Sequence, residues 1–350
     1  MTELKFKKRR VIAITVALAL IAATGTVAYL NRSAIRTGFE QIQGNDYVGT
    51  GKGEAIIEIA AGETGEDVAK ALVEAGVVKN FRTTYKLILE QNPTFFPGTY
   101  KLKLEMSSLA ALAALADPQN TVVNRVTVKE GLRISVVFKV LSEATGISQE
   151  EFATAAKNLS DFDLPAAAPS LEGYLFPATY NFSPKADATS ILKTMRERMQ
   201  QELDSFGVSA ADTHSVLTLA ALVQKEARIE ADFYKASRTF LNRIEVGMKL
   251  QSDATVSYGV NGDTVSTSAA DRANDNGYNT YLHPGLPVGP IGAPGRVAID
   301  AALNPAEGDW LYFCTINLET GETVFSETFA QHEKAVALWQ AWMKDHPEYD

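Results

Sequence analysis

The chain has 350 residues, of which 46% are hydrophobic and 21% charged, with a formal net charge of −9. That composition supplies a core for about two domains, and the acidic balance excludes a nucleic-acid partner, whose phosphates require a basic surface. Cys314 is the only cysteine, which excludes an internal disulfide.

Lys5, Lys7, Lys8, Arg9 and Arg10 precede an uncharged stretch from Val11 to Leu30. About 20 apolar residues match the hydrocarbon core of a bilayer, and a cationic flank is retained on the cytoplasmic side. Residues 1–10 are therefore expected in the cytoplasm, 11–30 as a single transmembrane helix of the cell membrane, and the remainder outside it. A cleaved signal peptide is the rival, but its apolar region usually spans only about 7–15 residues. A buried soluble helix fits poorly with an unbroken apolar run behind five cations. Residues 31–53, with Gly44, Gly49, Gly51 and Gly53, read as a linker.

A small module is expected over 54–160. Ala55 to Ile59 has the pattern of a strand, Gly62 of a turn, and Thr64 to Ala75 of an amphipathic helix with Val68, Ala71, Leu72 and Ala75 on one face. Phe81 to Glu90 predicts a second helix, and Gly98 to Leu104 alternates like a strand. A partial repeat follows at an offset of 69 residues, matching Gly62/Gly131, Val68/Val137, Lys70/Lys139, Leu72/Leu141, Glu74/Glu143 and Ala75/Ala144. It predicts a second strand-turn-helix unit, from Val126 to Ala144, of a kind that binds or spaces rather than catalyses. The Pro/Ala-rich segment Leu164 to Pro169 marks a junction. Beyond it, helices are predicted over 188–206, 211–227, 231–246, 294–303 and 330–344, with one hairpin, 310–316 against 322–325, around Thr320-Gly321. The fold class is α+β, with a mainly helical domain over 161–350.

The predicted helix ending near Ala227 carries Glu226 behind Val216, Leu217, Leu219, Ala220, Leu222 and Val223. A carboxyl held against an apolar wall keeps its proton to higher pH and suits a general acid at a glycosidic oxygen. The plainer reading is a solvated Glu beside Lys225. Glu230 lies one turn on if the helix continues, and Glu172 sits in an aromatic loop with Tyr174, Phe176, Tyr180 and Phe182, which suits sugar rings or simply packs well. Two further strips have the character of cleft lining: Gln251, Ser252, Asp253, Thr255 and Tyr258 in one, and 277–281 running into the Gly/Pro-rich 285–294 in the other. The scattered histidines His214, His283, His332 and His346 lack zinc-ligand spacing. No phosphate cradle, serine-hydrolase elbow or pyridoxal phosphate site is apparent, so no metal or cofactor is expected. Cys314, in a strand-like run, reads as a buried apolar residue.

Taken together, the blocks LEGYLFPATYNF, ALVQKEA, FLNRIEVGMKLQSDATVSYG, YNTYLHPGLPVGPIGAPG and AIDAALNPAEGDWLYF resemble the endolytic murein transglycosylases of the MltG or YceG-like type. The resemblance covers nearly the whole chain and implies an anchor, a LysM-like α/β module and a transglycosylase-like helical domain, in that order. It implies that Glu226 is the catalytic acid, and that Glu172, Tyr174, Gln251, Ser252, Asp253, Asn279, Tyr281 and Asn304 belong to a substrate cleft. The chain departs from the family's usual residues at Gln224 (Glu), Ala178 (Asp), Ala254 (Pro) and Val288 (Pro). The implied reaction cuts the β-1,4 bond between N-acetylmuramic acid and N-acetylglucosamine in nascent peptidoglycan, leaves a 1,6-anhydro end and terminates strand elongation. Peptidoglycan polymerases are the implied protein partners. No second acid is evident near Glu226, as suits a reaction in which the substrate's own N-acetyl group replaces it. A lysozyme-like muramidase, releasing a reducing end, and a non-catalytic peptidoglycan-binding scaffold are the alternatives.

Overall fold

A computed structural model of the chain describes residues 35, 44–262 and 267–349. The expected cytoplasmic segment 1–10, the transmembrane segment 11–30 and most of the linker lie outside the described residues. Among the described residues, no helix is long and apolar enough to cross a membrane. The chain forms two compact units that divide after Val123.

In the first unit β1 (Thr50–Ile59) is followed by α1 (Gly65–Glu74), α2 (Phe81–Gln91), β2 (Gly98–Met106) and α3 (Ser108–Ala116). The strand-helix-helix-strand order is the one the sequence predicts. β1 and β2 pair antiparallel, Ile57 opposite Tyr100 and Ile59 opposite Gly98. Thr64 starts α1 with a capping box, trading hydrogen bonds with Asp67. Buried Val68, Ala69 and Leu72 then turn one face into a core shared with Ile57, Tyr100 and Leu102.

This unit starts earlier than Glu54. Gly51, at φ +78°, approaches β2 so closely that a Cβ would stand 2.4 Å from the Leu104 carbonyl oxygen, so it serves a bulged strand rather than a tether. Asp46 is buried, and its carboxylate accepts from the Ser108 N–H at 3.0 Å and hydroxyl at 3.0 Å, capping the first turn of α3.

In the second unit β3 (Asn124–Thr127) is followed by α4 (Ile134–Thr145) and α5 (Gln149–Ala155), and β4 (Thr179–Phe182) returns to pair with β3, Val126 opposite Tyr180. The division therefore falls ahead of the Pro/Ala-rich segment where the sequence reading placed it. The second copy of the strand-turn-helix repeat packs in a core with Phe152, Leu171 and Leu192. The repeat holds locally: Gly62 and Gly131 both take positive φ, +86° and +74°, and Val68/Val137 and Leu72/Leu141 are all buried.

The rest is mainly helical: α6 (Ala188–Ser205), α7 (Thr213–Glu226), α8 (Glu230–Glu245), the short α9 (Asp253–Gly259) and α10 (Ala269–Arg272), and α11 (Arg296–Leu303). The hairpin β5 (Tyr312–Thr315) and β6 (Thr323–Ser326) pairs Cys314 with Val324, and α12 (Phe329–Asp345) packs on both strands. α7 is the central helix, in contact with α8, α9 and α11 through buried Leu217 and Ala220 to Val223. Cys314 is half-buried, and burial pushes its thiol up, away from the reactive thiolate.

Candidate active site

Glu226 is the last residue of α7. The next residue, Ala227, turns to extended backbone while its N–H still bonds the Val223 carbonyl. Leu222 and Val223 are fully buried behind it, so the helix delivers one carboxyl from the core to the wall of a cavity of about 420 Å³. Protein surrounds the carboxyl densely, and burial raises its pKa. A hydrogen bond from Ser252 lowers it, Asp253 raises it and Arg243 lowers it, in that order of influence. The Ser252 hydroxyl donates to Glu226 Oε1 at 2.6 Å, which leaves Oε2 to carry the acidic proton.

Ser252 is held by its own backbone. Its N–H donates to Thr280 Oγ1 at 3.1 Å, and its carbonyl accepts from the Thr255 hydroxyl at 2.8 Å. The preceding Gln251 sits at φ +50°, a conformation costly for a non-glycine residue, with its N–H bonded to the Thr280 carbonyl. Its side chain lies at the cavity wall beside Ser252. Asp253 Oδ1 accepts from the hydroxyls of Thr267, at 2.5 Å, and Tyr281, at 3.0 Å, and the Arg272 guanidinium lies 5.5 Å from the centre of the Tyr281 ring. Asp253 therefore brings a second carboxylate to the Glu226 cavity, but two hydroxyls already engage it. Arg243 ties the walls together, donating from Nε to the Leu311 carbonyl and from Nη1 to the Leu250 carbonyl, both at 2.6 Å.

Gln251, Ser252, Asp253 and Tyr281 line this cavity with Glu226, whereas four other candidates do not. Tyr174 is fully buried and bonds His214 Nδ1 at 2.7 Å. Asn279, also fully buried, braces its own loop by donating to the carbonyls of Arg272 and Asn274 and accepting from the Tyr281 N–H. Asn304 is exposed and donates to Asp300. Glu172 is buried with both carboxylate oxygens 3.0 Å from the Ile134 N–H, so it caps α4 from a distant loop, and Oε2 also accepts from the Tyr258 hydroxyl. Gln224, where the family often has Glu, accepts from the Gly295 N–H at the start of α11. Glu230 opens α8 and is exposed, because α7 ends before it.

Burial pushes the Glu172 pKa up to about 7, against the pull of the Ile134 N–H, Tyr258, Lys225 and Arg133. Between the ordinary value of 4.5 and about 7, the folded protein holds a proton that the unfolded chain has lost, so stability falls as pH rises through that window. Glu172→Gln keeps the acceptor for Ile134 and Tyr258. It is expected to flatten this dependence and to exceed the wild type in stability by about 1–3 kcal/mol at pH 8. Thermal unfolding at pH 5 and pH 8 checks this; an unchanged slope would assign the titration to another group.

Sequence reasoning missed Arg243, Tyr312, Phe313, Phe329 and His332, which complete the cavity. They are scattered over two helices and a strand; Arg243, Tyr312 and Phe313 lie within the blocks that carry the family resemblance, whereas Phe329 and His332 lie outside them. Among the described residues, no group of three or more His, Cys, Asp or Glu side chains is placed to hold a metal ion.

The chain is similar to the endolytic murein transglycosylase of Bacillus subtilis (strain 168), at 30% identity over 302 residues, covering 80% of this chain and 83% of that protein. It is 27% identical over 371 residues to the endolytic murein transglycosylase of Streptococcus pneumoniae serotype 2 (strain D39), covering 94% of this chain but only 65% of that protein. The crystal structure of a yceG-like protein from Listeria monocytogenes superimposes with a TM-score of 0.54 at 26% identity, over 81% of this chain and 99% of that one. The sequence model of the YceG-like family matches residues 57–338, and with that match spanning most of both units, the chain belongs to the YceG-like family.

Proposed function

We propose that this chain is an endolytic murein transglycosylase that cuts the β-1,4 bond between N-acetylmuramic acid and N-acetylglucosamine, with Glu226 as its acid and then its base. The observation that carries this reading is the Glu226 carboxyl at the cavity wall, its pKa raised by burial and one oxygen occupied by Ser252. In that state it gives its proton to the departing glycosidic oxygen as the bond to the anomeric carbon breaks. The carboxylate left behind takes the proton of the muramic acid 6-hydroxyl as that oxygen closes on the anomeric carbon. The ring product is a 1,6-anhydro sugar, no water is consumed, and Glu226 ends protonated as it began. Asp253 is engaged by Thr267 and Tyr281, which suits a positioning role over that of a water-activating base.

The cationic residues Lys5, Lys7, Lys8, Arg9 and Arg10 ahead of the uncharged segment 11–30 support a single-pass anchor in the cell membrane with the N-terminus in the cytoplasm. The βααβ order of the first unit supports a LysM-like module that adds grip on glycan. An anchored enzyme of this kind works beside the polymerases that extrude new strands and sets where they end.

The test is mass spectrometry of muropeptides released from purified peptidoglycan by the full chain, prepared from membranes. Products lighter by one water than their reducing counterparts are the expected result. Reducing ends would assign a muramidase instead, no cleavage at all a binding scaffold, and recovery of the chain in the soluble fraction would remove the anchor.

A further inference from the structure

One wall of the Glu226 cavity is aromatic and comes from the hairpin and the first turn of α12. The Tyr312 and Phe329 rings stand 5.8 Å apart at 62°, and Tyr312 and His332 stack at 5.3 Å and 21°. The Arg243 guanidinium lies 5.4 Å from the centre of the Tyr312 ring, which holds that ring in place from the protein side. Phe329 is 57% exposed, so burial in the core does not account for a phenyl ring there.

His332 adds a second, independent observation. Its Nδ1 is buried with no hydrogen-bond partner among the described residues, and a buried polar atom left unsatisfied in a cavity wall calls for a reason. Burial, and then Arg243, disfavour the charged imidazole, so the neutral ring has one nitrogen to accept and one to donate. An exposed ring face beside a hydrogen-bonding nitrogen matches a pyranose, whose C–H face is apolar and whose rim carries hydroxyls and an acetamido group.

We infer that Phe329, Tyr312 and His332 form a platform for one pyranose ring of the glycan strand that Glu226 cleaves, with the apolar face of the sugar on Phe329 and its polar rim beside the His332 imidazole. Continuity identifies the occupant, because the platform and Glu226 line the same cavity. The inference thus rests on glycan cleavage at that cavity.

Two variants of the full chain separate a platform from plain packing. Phe329→Leu keeps apolar bulk without a ring face, and His332→Phe keeps a ring without its nitrogens. Each is expected to raise the KM for un-crosslinked peptidoglycan strands, and the Kd for the same strands measured in a Glu226→Gln background, by about three- to tenfold. The kcat stays within about twofold of wild type, as for loss of an interaction made equally in ground and transition states. Phe329→Trp restores wild-type affinity. Wild-type KM and Kd for Phe329→Leu, or a fall in kcat at unchanged KM, would overturn the platform. Weakened binding by Phe329→Leu together with unimpaired cleavage by Glu226→Gln would keep the platform and remove Glu226 as the acid.

Discussion

Glu226→Gln is expected to lower the rate of glycan cleavage by about 10²–10⁴-fold while the protein folds as before and unfolds at a higher temperature. Glutamine has the same shape, and its carbonyl still accepts from the Ser252 hydroxyl that now bonds Glu226 Oε1 at 2.6 Å. It has no proton to give a leaving oxygen. The stability gain follows from the raised pKa, whose largest cause is burial. Above the unfolded-state value of 4.5, the unfolded chain sheds a proton that the folded chain keeps, so this group costs stability increasingly as pH rises toward its folded pKa. The mutant's advantage in thermal unfolding is therefore larger at pH 8 than at pH 5. Muropeptide release by wild type and mutant, with calorimetry on both, measures the two effects separately. Activity within about tenfold of wild type would move the acid to another carboxyl.

Arg243→Met is expected to destabilise the protein by about 2–3 kcal/mol, a fall in Tm of roughly 4–12 °C for a unit of this size. Methionine fills much of the volume but strands the carbonyls of Leu250 and Leu311, each now accepting at 2.6 Å. It also removes the cation that favours the ionised form of Glu226, so the acid's pKa moves further up and the alkaline limb of the activity profile moves with it. Arg243→Lys retains the charge but lacks the fork that reaches both carbonyls at once, and it is expected to fall between the two. A Tm for Arg243→Met within about 2 °C of wild type, read by differential scanning calorimetry, would show that the two walls hold together without the guanidinium.

Helices were legible because each buries one stripe. The helix expected over 188–206 is observed at Ala188–Ser205, and that over 231–246 at Glu230–Glu245. The β3–β4 pairing was not, since nothing local in Asn124 to Thr127 records that its partner lies beyond the Pro/Ala-rich segment. Gly51 misled for a steric reason: a glycine forced by close approach to Leu104 looks, in sequence, the same as one in a tether. At the site, Glu226 stood out because a carboxyl behind so many apolar residues is unusual. Glu172 and Asn279 share motif blocks with cavity residues, yet their polar atoms satisfy backbone groups instead. Motif membership does not distinguish the two uses of a polar side chain. The aromatic wall was invisible because Tyr312 lies in a strand pattern, where aromatic residues are common, and Phe329 at a helix start, and neither position marks a cavity in sequence.

The cavity is assembled from segments far apart along the chain, with Glu226 on one side and Phe329 and His332, more than a hundred residues later, on the other. Synthesis proceeds from the N-terminus, so the wall that α12 contributes is made after the helix that carries Glu226. A growing chain made only as far as the Gly/Pro-rich loop already carries Glu226 but lacks the aromatic wall of its cavity. The cavity around Glu226 therefore exists only once α12 has been made and has packed on the hairpin.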